Sequence, residues 1–489
     1  MPLLPTTATD ARRTWALVAF LIAVLIIWQF GDIGRTPLQA WDESRLAVNA
    51  IEMLMTGERF VTTYGFHVDL WSTKPPLAVN LMAWSMELFG PTAIAARLPS
   101  AIAACATVVV VTASVRRITG SFGCGLAAGA LLATAPSFYG YHSGRAGDYD
   151  AVLTLFTTVY GFALFDLIGR ERPTPWLALG TGVVVGLAVW TKGIAGLIPG
   201  AGMGFFALIF AFPALRRKIA DYAIVLVIAA VMAGGFYALR GLADDGYLAA
   251  VANNELGGRF GVAIEHHVGS RWFYVRELTR YFPGRAWLAV AALPLLAAGP
   301  ARRLAIFGLC QIVVMVLIYS SAATKIAWYI VPTVPFVATV VAIAGLALIR
   351  AATRFPPGVS RGINLAILAI GIILAVIAVN GRYLHTTIPP TPPRAFDTLI
   401  AAATERRLVP LVVVDTGFPN AAGFVAYSPT LRFYALAAAR RGIAVRRVTR
   451  FAEVGGTKAF GTCDPAIQGA IAGYGTSVWS GSGCVLAVR

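Results

Sequence analysis

Apolar runs of about 20 residues, the length that crosses a bilayer as a helix, recur along this chain and constrain it before anything else. They are read at 14–34, 93–115, 121–140, 151–169, 175–191, 194–212, 220–239, 286–300, 304–320, 327–349 and 363–380. A chain so divided has no room for a soluble core. The residues agree: 58% are hydrophobic and 13% charged, against roughly 25% charged in a soluble domain. The first run follows Arg12 and Arg13 and has no small-residue cleavage site after it, so it reads as a retained span.

Basic residues orient the spans. Arg12/Arg13, Arg116/Arg117, Arg170/Arg172, Arg216/Arg217/Lys218, Arg302/Arg303 and Arg350/Arg354/Arg361 fall at every second boundary. The positive-inside rule then places the N-terminus in the cytoplasm and the C-terminus outside. The net charge of +17 belongs first to these loops and does not point to nucleic acid.

The opposite boundaries collect the unusual polar residues. The first outer loop, 35–91, carries Asp42, Glu43 and Lys74. The second, 141–150, carries Arg145, Asp148 and Asp150, and the third is the tight turn Thr191-Lys192-Gly193. The fourth, 240–285, carries Asn254, Glu255 and Arg259, and the fifth Thr324-Lys325. His67, His142, His266, His267 and His385 fall on the same side. A transporter or lipid flippase, the competing reading, would set ionisable groups near the midplane in broken helices. These spans are largely free of them.

Within the first outer loop, Asp42 is placed to cap a short helix that Gly57 ends. Leu46, Ala47, Ala50, Ile51 and Leu54 form its apolar face and Arg45, Asn49 and Glu52 the other, as in a helix lying in the interface. A second helix opens at Lys74-Pro75-Pro76 and runs to about Leu88. That sets an ammonium at the positive end of a helix, where an anion is the favoured partner of both. Two carboxylates just beyond an apolar helix are costly without a use, although a cap and a solvated neighbour is the bland alternative. Arg45 reads as an i,i+3 partner of Asp42 or an anion ligand. Asp150 reads as a helix cap or a functional acid, and Asp148 beside it exceeds what capping needs. Lys192 reads as a lysine facing headgroups. His266-His267 lacks a recognisable ligand spacing.

After Tyr383 the composition changes. The transmembrane part, 1–383, passes through a stiff Pro-rich linker, 384–393, into a small α/β domain, 394–489. Strands are expected at Leu411–Val414, Ala444–Val448 and Cys484–Val488, and helices at Ala395–Glu405 and Leu431–Arg441. Cys463 and Cys484 would pair in an oxidising compartment, while Cys105, Cys124 and Cys310 read as inert core residues. From Arg382 onward 12 Lys+Arg face 5 Asp+Glu. That excess favours anionic headgroups or an anionic acceptor.

The motifs stand in a particular order: Asp42-Glu43-Ser44-Arg45; Lys74-Pro75-Pro76-Leu77; Arg97-Leu98-Pro99-Ser100; Asp150-Ala151-Val152-Leu153-Thr154-Leu155-Phe156; Leu187 with Thr191-Lys192-Gly193; Glu255 with Arg259-Phe260; Lys325 with Trp328-Tyr329-Ile330-Val331-Pro332. Over roughly residues 12–340 this resembles the ArnT-like and protein-O-mannosyltransferase-like membrane glycosyltransferases of the GT-C fold. The C-terminal domain resembles no family we can name. The resemblance implies an all-α polytopic membrane protein with about 11 transmembrane helices and interfacial helices in the first outer loop. It implies a sugar donor on a polyprenyl phosphate (undecaprenyl or decaprenyl) and inverting displacement at the periplasmic face of a bacterial inner membrane. The acceptor would be a glycolipid such as lipid A or lipopolysaccharide, another glycan, or a protein, and the enzyme a monomer among membrane lipids.

The resemblance also assigns residues. Asp42 matches the acid beside the reaction centre and Asp150 the second-loop acid; Glu43, next to Asp42, is a further catalytic candidate, but Glu43 and Arg45 read more readily as holding the short helix and loop in position. Lys74 and Lys325 match donor-phosphate contacts, which Arg259 and Arg45 would extend. Asp148, Lys192, Glu255 and Tyr329 complete the candidates. Many ArnT-like chains carry an acid immediately before the lysine of Lys-Pro-Pro, where it helps hold a metal ion. Here that position is Thr73, with Asp69 nearby. A divalent metal therefore stands open as a cofactor, with Asp42, His266 and His267 as candidate ligands, beside a metal-free, aspartate-centred site.

Overall fold

The computed structural model describes residues 23–31, 33–140, 142–263, 267–281, 297–356, 358, 359, 362, 394–417 and 427–489. After a helical stretch over 23–30 come α1 (Asp42–Thr56), a hairpin of β1 (Thr63–Tyr64) and β2 (His67–Val68), and α2 (Leu77–Phe89). Then follow α3 (Ala93–Thr119), α4 (Phe122–Thr134), α5 (Tyr149–Gly169), α6 (Pro175–Lys192), α7 (Ile198–Phe210) and α8 (Ile219–Ala243). The helix α9 (Gly299–Ser321), a 3-10 segment Ala327–Thr333 and α10 (Val334–Ala352) complete the bundle. Among the described residues six segments are long and apolar enough to cross a membrane: α3, α5, α6 with its following turn, α8, α9 and 327–352. The helices α2, α4 and α7 are apolar but shorter.

Local chemistry sets these bounds. Thr92 Oγ1 accepts from the Ala95 N–H to start α3, and Ser121 Oγ from the Cys124 N–H to start α4. The run read at 121–140 is not one span. Pro136 disfavours helical geometry at Ala135, which is extended, so α4 stops at Thr134 and a single turn, Pro136–Tyr139, follows. The run at 194–212 likewise begins with a 3-10 turn, and α7 starts only at Ile198. The runs at 286–300 (except its end) and 363–380 and the linker 384–393 lie outside the described residues. Small residues bring α4 against α3: a Cβ on Gly125 would sit 2.5 Å from the Thr112 carbonyl oxygen.

Side-chain contacts sort the bundle into two ends. At one, Arg117 pairs with Asp166, Lys218 donates to the Arg172 carbonyl and Arg303 lies over the Phe165 ring. At the other end of α5 and α6 lie Asp148, Asp150 and Lys192. The arginine boundaries and the acidic loops are thus physically separate.

The C-terminal part holds α11 (Phe396–Glu405), β3 (Leu411–Val414), α12 (Pro429–Ala439), β4 (Val445–Val448), β5 (Ala459–Thr462), β6 (Thr476–Gly481) and β7 (Cys484–Val488). The sheet order is β4-β3-β5-β7-β6, with β3 parallel to β4 and β5 and the β7 pairings antiparallel. The all-buried Leu411-Val412-Val413-Val414 run suits a parallel strand covered on both faces. Cys463 and Cys484 are disulfide-bonded.

This part packs directly on the first outer loop. Phe396, Leu399, Leu431 and Phe433 share one apolar cluster with Val48, Ile51, Val79 and Met82. As a result α1 is buried from Glu43 to Met53. The polar face of α1 is therefore buried rather than solvated, because each member finds a partner. Arg45 takes Asp69, Asn49 donates to the Thr63 carbonyl, and Glu52 accepts from Arg432.

Candidate active site

The geometry separates the two acids at the start of α1. The helix N-cap is Trp41, without a side-chain cap, so Asp42 sits inside the first turn rather than capping it. There its carboxylate favours the positive helix end, and 34% of the side chain stays open to solvent. Glu43 turns inward. Its carboxylate takes Arg97 Nε and Nη2 at 2.6 and 2.8 Å and accepts from the N–H groups of Gln39 and Gly147. Glu43 therefore ties α3 and the loop before α5 to α1, the holding role read for it beside the catalytic one, and its oxygens are turned away from Asp42's open side.

Arg45 likewise takes the holding role, and not that of a phosphate ligand. Its guanidinium forks onto Asp69 at 2.7 and 3.1 Å, donates to the Tyr427 hydroxyl and lies 4.4 Å from the Tyr64 and Trp71 ring centres. Buried and bidentate, it is neither the i,i+3 partner of Asp42 nor exposed to an incoming phosphate.

Beside Asp42 stands a residue that sequence reasoning did not single out. His142 Nδ1 lies 2.6 Å from Asp148 Oδ2 and 3.7 Å from Asp42 Oδ2, and its ring stacks on Trp328 at 3.6 Å. His142 adopts φ 65°, a left-handed conformation uncommon for a side-chain-bearing residue. Such positions persist where surrounding contacts enforce them. Asp148 also accepts from the Tyr149 N–H at 2.6 Å, so it does cap α5. In sequence His142 was one histidine of five. Only the tertiary fold shows that it faces two carboxylates.

The electrostatics follow. Burial and then the neighbouring Asp148 carboxylate push the Asp42 carboxyl above its ordinary range, against the cations of His142 and Lys74. Burial works against ionised Asp148, but its hydrogen bond to His142 and the imidazolium charge hold it below the usual range. Burial opposes the His142 charge, and the bond to Asp148 outweighs it, raising the imidazole.

Lys74 sits half-buried three residues before α2, with its ammonium 5.7 Å from the Tyr149 ring centre. Its neighbour Thr73 is fixed from the fourth outer segment. The Thr73 hydroxyl donates to Glu255 Oε1 at 2.9 Å, and the Tyr247 hydroxyl donates to the Thr73 carbonyl at 2.7 Å. Lys74, Glu255, Asp150, Lys192 and Tyr329 line one cavity, about 680 Å3 of unfilled space counting its open mouth. Lys192 does not face headgroups: its ammonium is buried on both Asp150 oxygens at 2.6 and 2.7 Å, 5.0 Å from the Tyr329 ring centre. An unpaired carboxylate at Asp150 would be prohibitive there, which draws the lysine inward.

Lys325 is not drawn into that wall. Its ammonium donates to the carbonyls of Ser320, Ala322 and Tyr319 at the C-terminal end of α9, where a cation is favoured. Arg259 lies in the helical turn Gly258–Gly261, and its side chain lies outside the described set, as does His266. His267 accepts from the Lys325 N–H through its backbone carbonyl.

Asp42, His142 and Asp148 each present one ligand atom within 4.8 Å of the others, the group with metal-like spacing among the described residues. The donor types suit a divalent ion. Yet Nδ1 of His142 and Asp148 already satisfy each other at 2.6 Å, and the ring is clamped on Trp328. As arranged, these three residues do not fit one shared ion.

Comparison with known proteins bears on this geometry. Residues 73–235, which include Lys74, His142, Asp148, Asp150 and Lys192, match the family described as dolichyl-phosphate-mannose-protein mannosyltransferase. An uncharacterised protein of Aquifex aeolicus (strain VF5) is 28% identical over 323 residues, 66% of this chain and 62% of that one. A polyprenol-phosphate-mannose–protein mannosyltransferase of Mycolicibacterium smegmatis (strain MKD8) is 29% identical over 237 residues, 43% of each chain. The matched stretches thus span less than two thirds of either relative. Two crystal structures of ArnT from Cupriavidus metallidurans superpose with a TM-score of 0.66 at 18% identity. The one bound to undecaprenyl phosphate covers 96% of this chain and 98% of its own. The apo form covers 98% of both. The chain thus has the fold of ArnT, the GT-C fold, and over residues 73–235 is similar to the protein mannosyltransferases.

Proposed function

We propose that the chain is a membrane glycosyltransferase that moves a sugar from a polyprenyl phosphate to a cell-envelope acceptor at the periplasmic face of a bacterial inner membrane. The observation that carries this reading is a half-buried, acid-flanked Asp42, open in part to solvent, at the same end of the bundle as the Lys74 cavity. Relatives named for polyprenol-phosphate-mannose, and an ArnT bound to undecaprenyl phosphate, support a lipid-phosphate donor.

In this reading Asp42 accepts the proton of an acceptor hydroxyl as its oxygen attacks the anomeric carbon. The bond from that carbon to the phosphate oxygen breaks with inversion. The polyprenyl phosphate departs with its electron pair, its charge balanced by Lys74. The raised Asp42 carboxyl is a better base than an ordinary aspartate. Asp148 sustains that rise, and His142 holds Asp148 in place. Asp150 and Lys192 neutralise one another and shape the wall. Glycolipid, glycan and protein acceptors all fit a hydroxyl nucleophile.

The test uses purified full-length protein and a radiolabelled polyprenyl-phosphate sugar. Asp42→Asn is expected to lower turnover about 1,000-fold, within the range for a lost general base, with an unchanged circular dichroism spectrum. Lys74→Ala should chiefly weaken binding of undecaprenyl phosphate. Wild-type turnover by Asp42→Asn would remove Asp42 from the chemistry.

A further inference from the structure

Among the described residues, four charged side chains line the Lys74 cavity: Lys74, Asp150, Lys192 and Glu255. Asp150 and Lys192 neutralise one another. Lys74 and Glu255 are the other pair, so these four residues give the wall no net positive charge. No step of the transfer uses Glu255. A carboxylate in a wall that receives an anion is unfavourable for binding, unless its repulsion is itself of use.

The fold holds Glu255 there from several sides. It stands in the π-helical turn Ala252–Gly257, a distortion frequent at functional sites. The Thr73 hydroxyl donates to its Oε1 at 2.9 Å, and Thr73 immediately precedes Lys74. Thr73 is itself held through its carbonyl by the Tyr247 hydroxyl. Gly193 makes room for the other oxygen: a Cβ there would lie 2.3 Å from Glu255 Oε2 and 2.9 Å from the Tyr237 hydroxyl. Gly193 adopts φ 60°, so both conformation and space disfavour a side chain at this position.

Transfer changes the charge of what the cavity holds. The donor is a phosphodiester with one negative charge. When the bond from the anomeric carbon to the phosphate oxygen breaks, both electrons stay on that oxygen, and the acceptor proton passes to Asp42. The spent lipid is a phosphomonoester, which carries close to two charges above its second pKa of about 6. Lys74 attracts both lipids. A fixed carboxylate repels the doubly charged one more.

We infer that Glu255 is a specificity-determining residue that selects the phosphodiester donor over the phosphomonoester product and so speeds release of the spent lipid. The inference rests on the glycosyl-transfer reading above. Donor and product share one polyprenyl chain, so apolar contacts do not sort them. A repulsive element beside an attractive one does.

The full-length chain in detergent tests this by calorimetry at pH 8 with two probes: undecaprenyl phosphate and its methyl ester, a phosphodiester with one charge. The readout is the ratio of the two dissociation constants, which a purely structural role would leave in place because both lipids would weaken together. Glu255→Gln keeps an acceptor for the Thr73 hydroxyl and removes the charge. It is expected to shift the ratio about tenfold toward undecaprenyl phosphate, the order of one like-charge contact in a partly solvated wall. Inhibition of turnover by added undecaprenyl phosphate should sharpen by a similar factor. Glu255→Asp, which keeps the charge, should hold the ratio near wild type. If Glu255→Gln does not fold, Thr73→Val, which unfastens the carboxylate, should move the ratio the same way by a smaller factor. A ratio unmoved in the folded variant overturns the inference, and Lys74-dependent binding of both lipids would then leave the donor reading standing. Binding of neither lipid, or binding indifferent to Lys74→Ala, overturns the donor reading and this inference with it.

Discussion

His142 works through two carboxylates at once, and its charge has a definite pH signature. Its raised imidazole stabilises the fold fully below the ordinary value of 6.5, and that contribution is lost as pH rises through the higher folded-state value. The depressed Asp148 carboxyl stabilises above its ordinary 3.8, and that contribution is lost as pH falls through the lower folded-state value. The pair therefore supports the fold most between those ordinary values. His142→Gln should flatten the pH dependence of the unfolding midpoint across the neutral range. It should also move the acid limb of the turnover profile to higher pH, because Asp42 loses a cation that holds its carboxyl down. A limb that stays put would detach His142 from Asp42. Asp42, Lys74 and Asp148 were legible in the sequence as polar residues at membrane edges. His142 was not, since its partners arrive from α1 and from the turn before α5. Glu43 and Arg45 were read both as site candidates and as residues holding the short helix, and the partners that hold them, Arg97 and Asp69, meet them only in three dimensions.

The elements α5 and α6 meet through Asp150 and Lys192, and here structure and chemistry can be separated. Lys192→Met leaves a buried carboxylate alone, which costs about 3–5 kcal/mol, whereas a well-packed apolar pair often restores stability. The double variant Lys192→Met with Asp150→Leu should thus unfold close to wild type. If turnover also returns, the pair is purely structural. If turnover stays absent, Asp150 or Lys192 acts on the substrate. Three strands and two helices of the C-terminal part were legible to within a residue or two, Leu411–Val414 and Cys484–Val488 among them, while β5 and β6 were not read. Span boundaries were less so. The run at 121–140 keeps apolar composition across Ala135-Pro136, and composition does not register the helix break that proline imposes.

Across the whole molecule, the C-terminal part is not an appendage on a linker. It completes the core around α1 and α2. The Cys463–Cys484 bond spans 21 residues and contributes about 3 kcal/mol by restricting the unfolded chain. Replacing both cysteines with serine should lower the unfolding midpoint of the full chain accordingly, read in parallel samples without reductant. Because Asp42 opens the helix on which this domain rests, turnover should fall at the temperature where the domain melts, earlier in the serine variant. Turnover that outlasts domain melting would show that α1 holds its shape without that cover.

The bond from Thr73 to Glu255 has a bearing on how such chains are compared. By sequence position, residue 73 is a threonine where many of the chains it resembles carry an acid. Scored in space, a carboxylate reaches the same spot from 182 residues along the chain. Thr73→Glu alone would crowd two acids together, and only a compensating neutral residue at 255 would restore the balance.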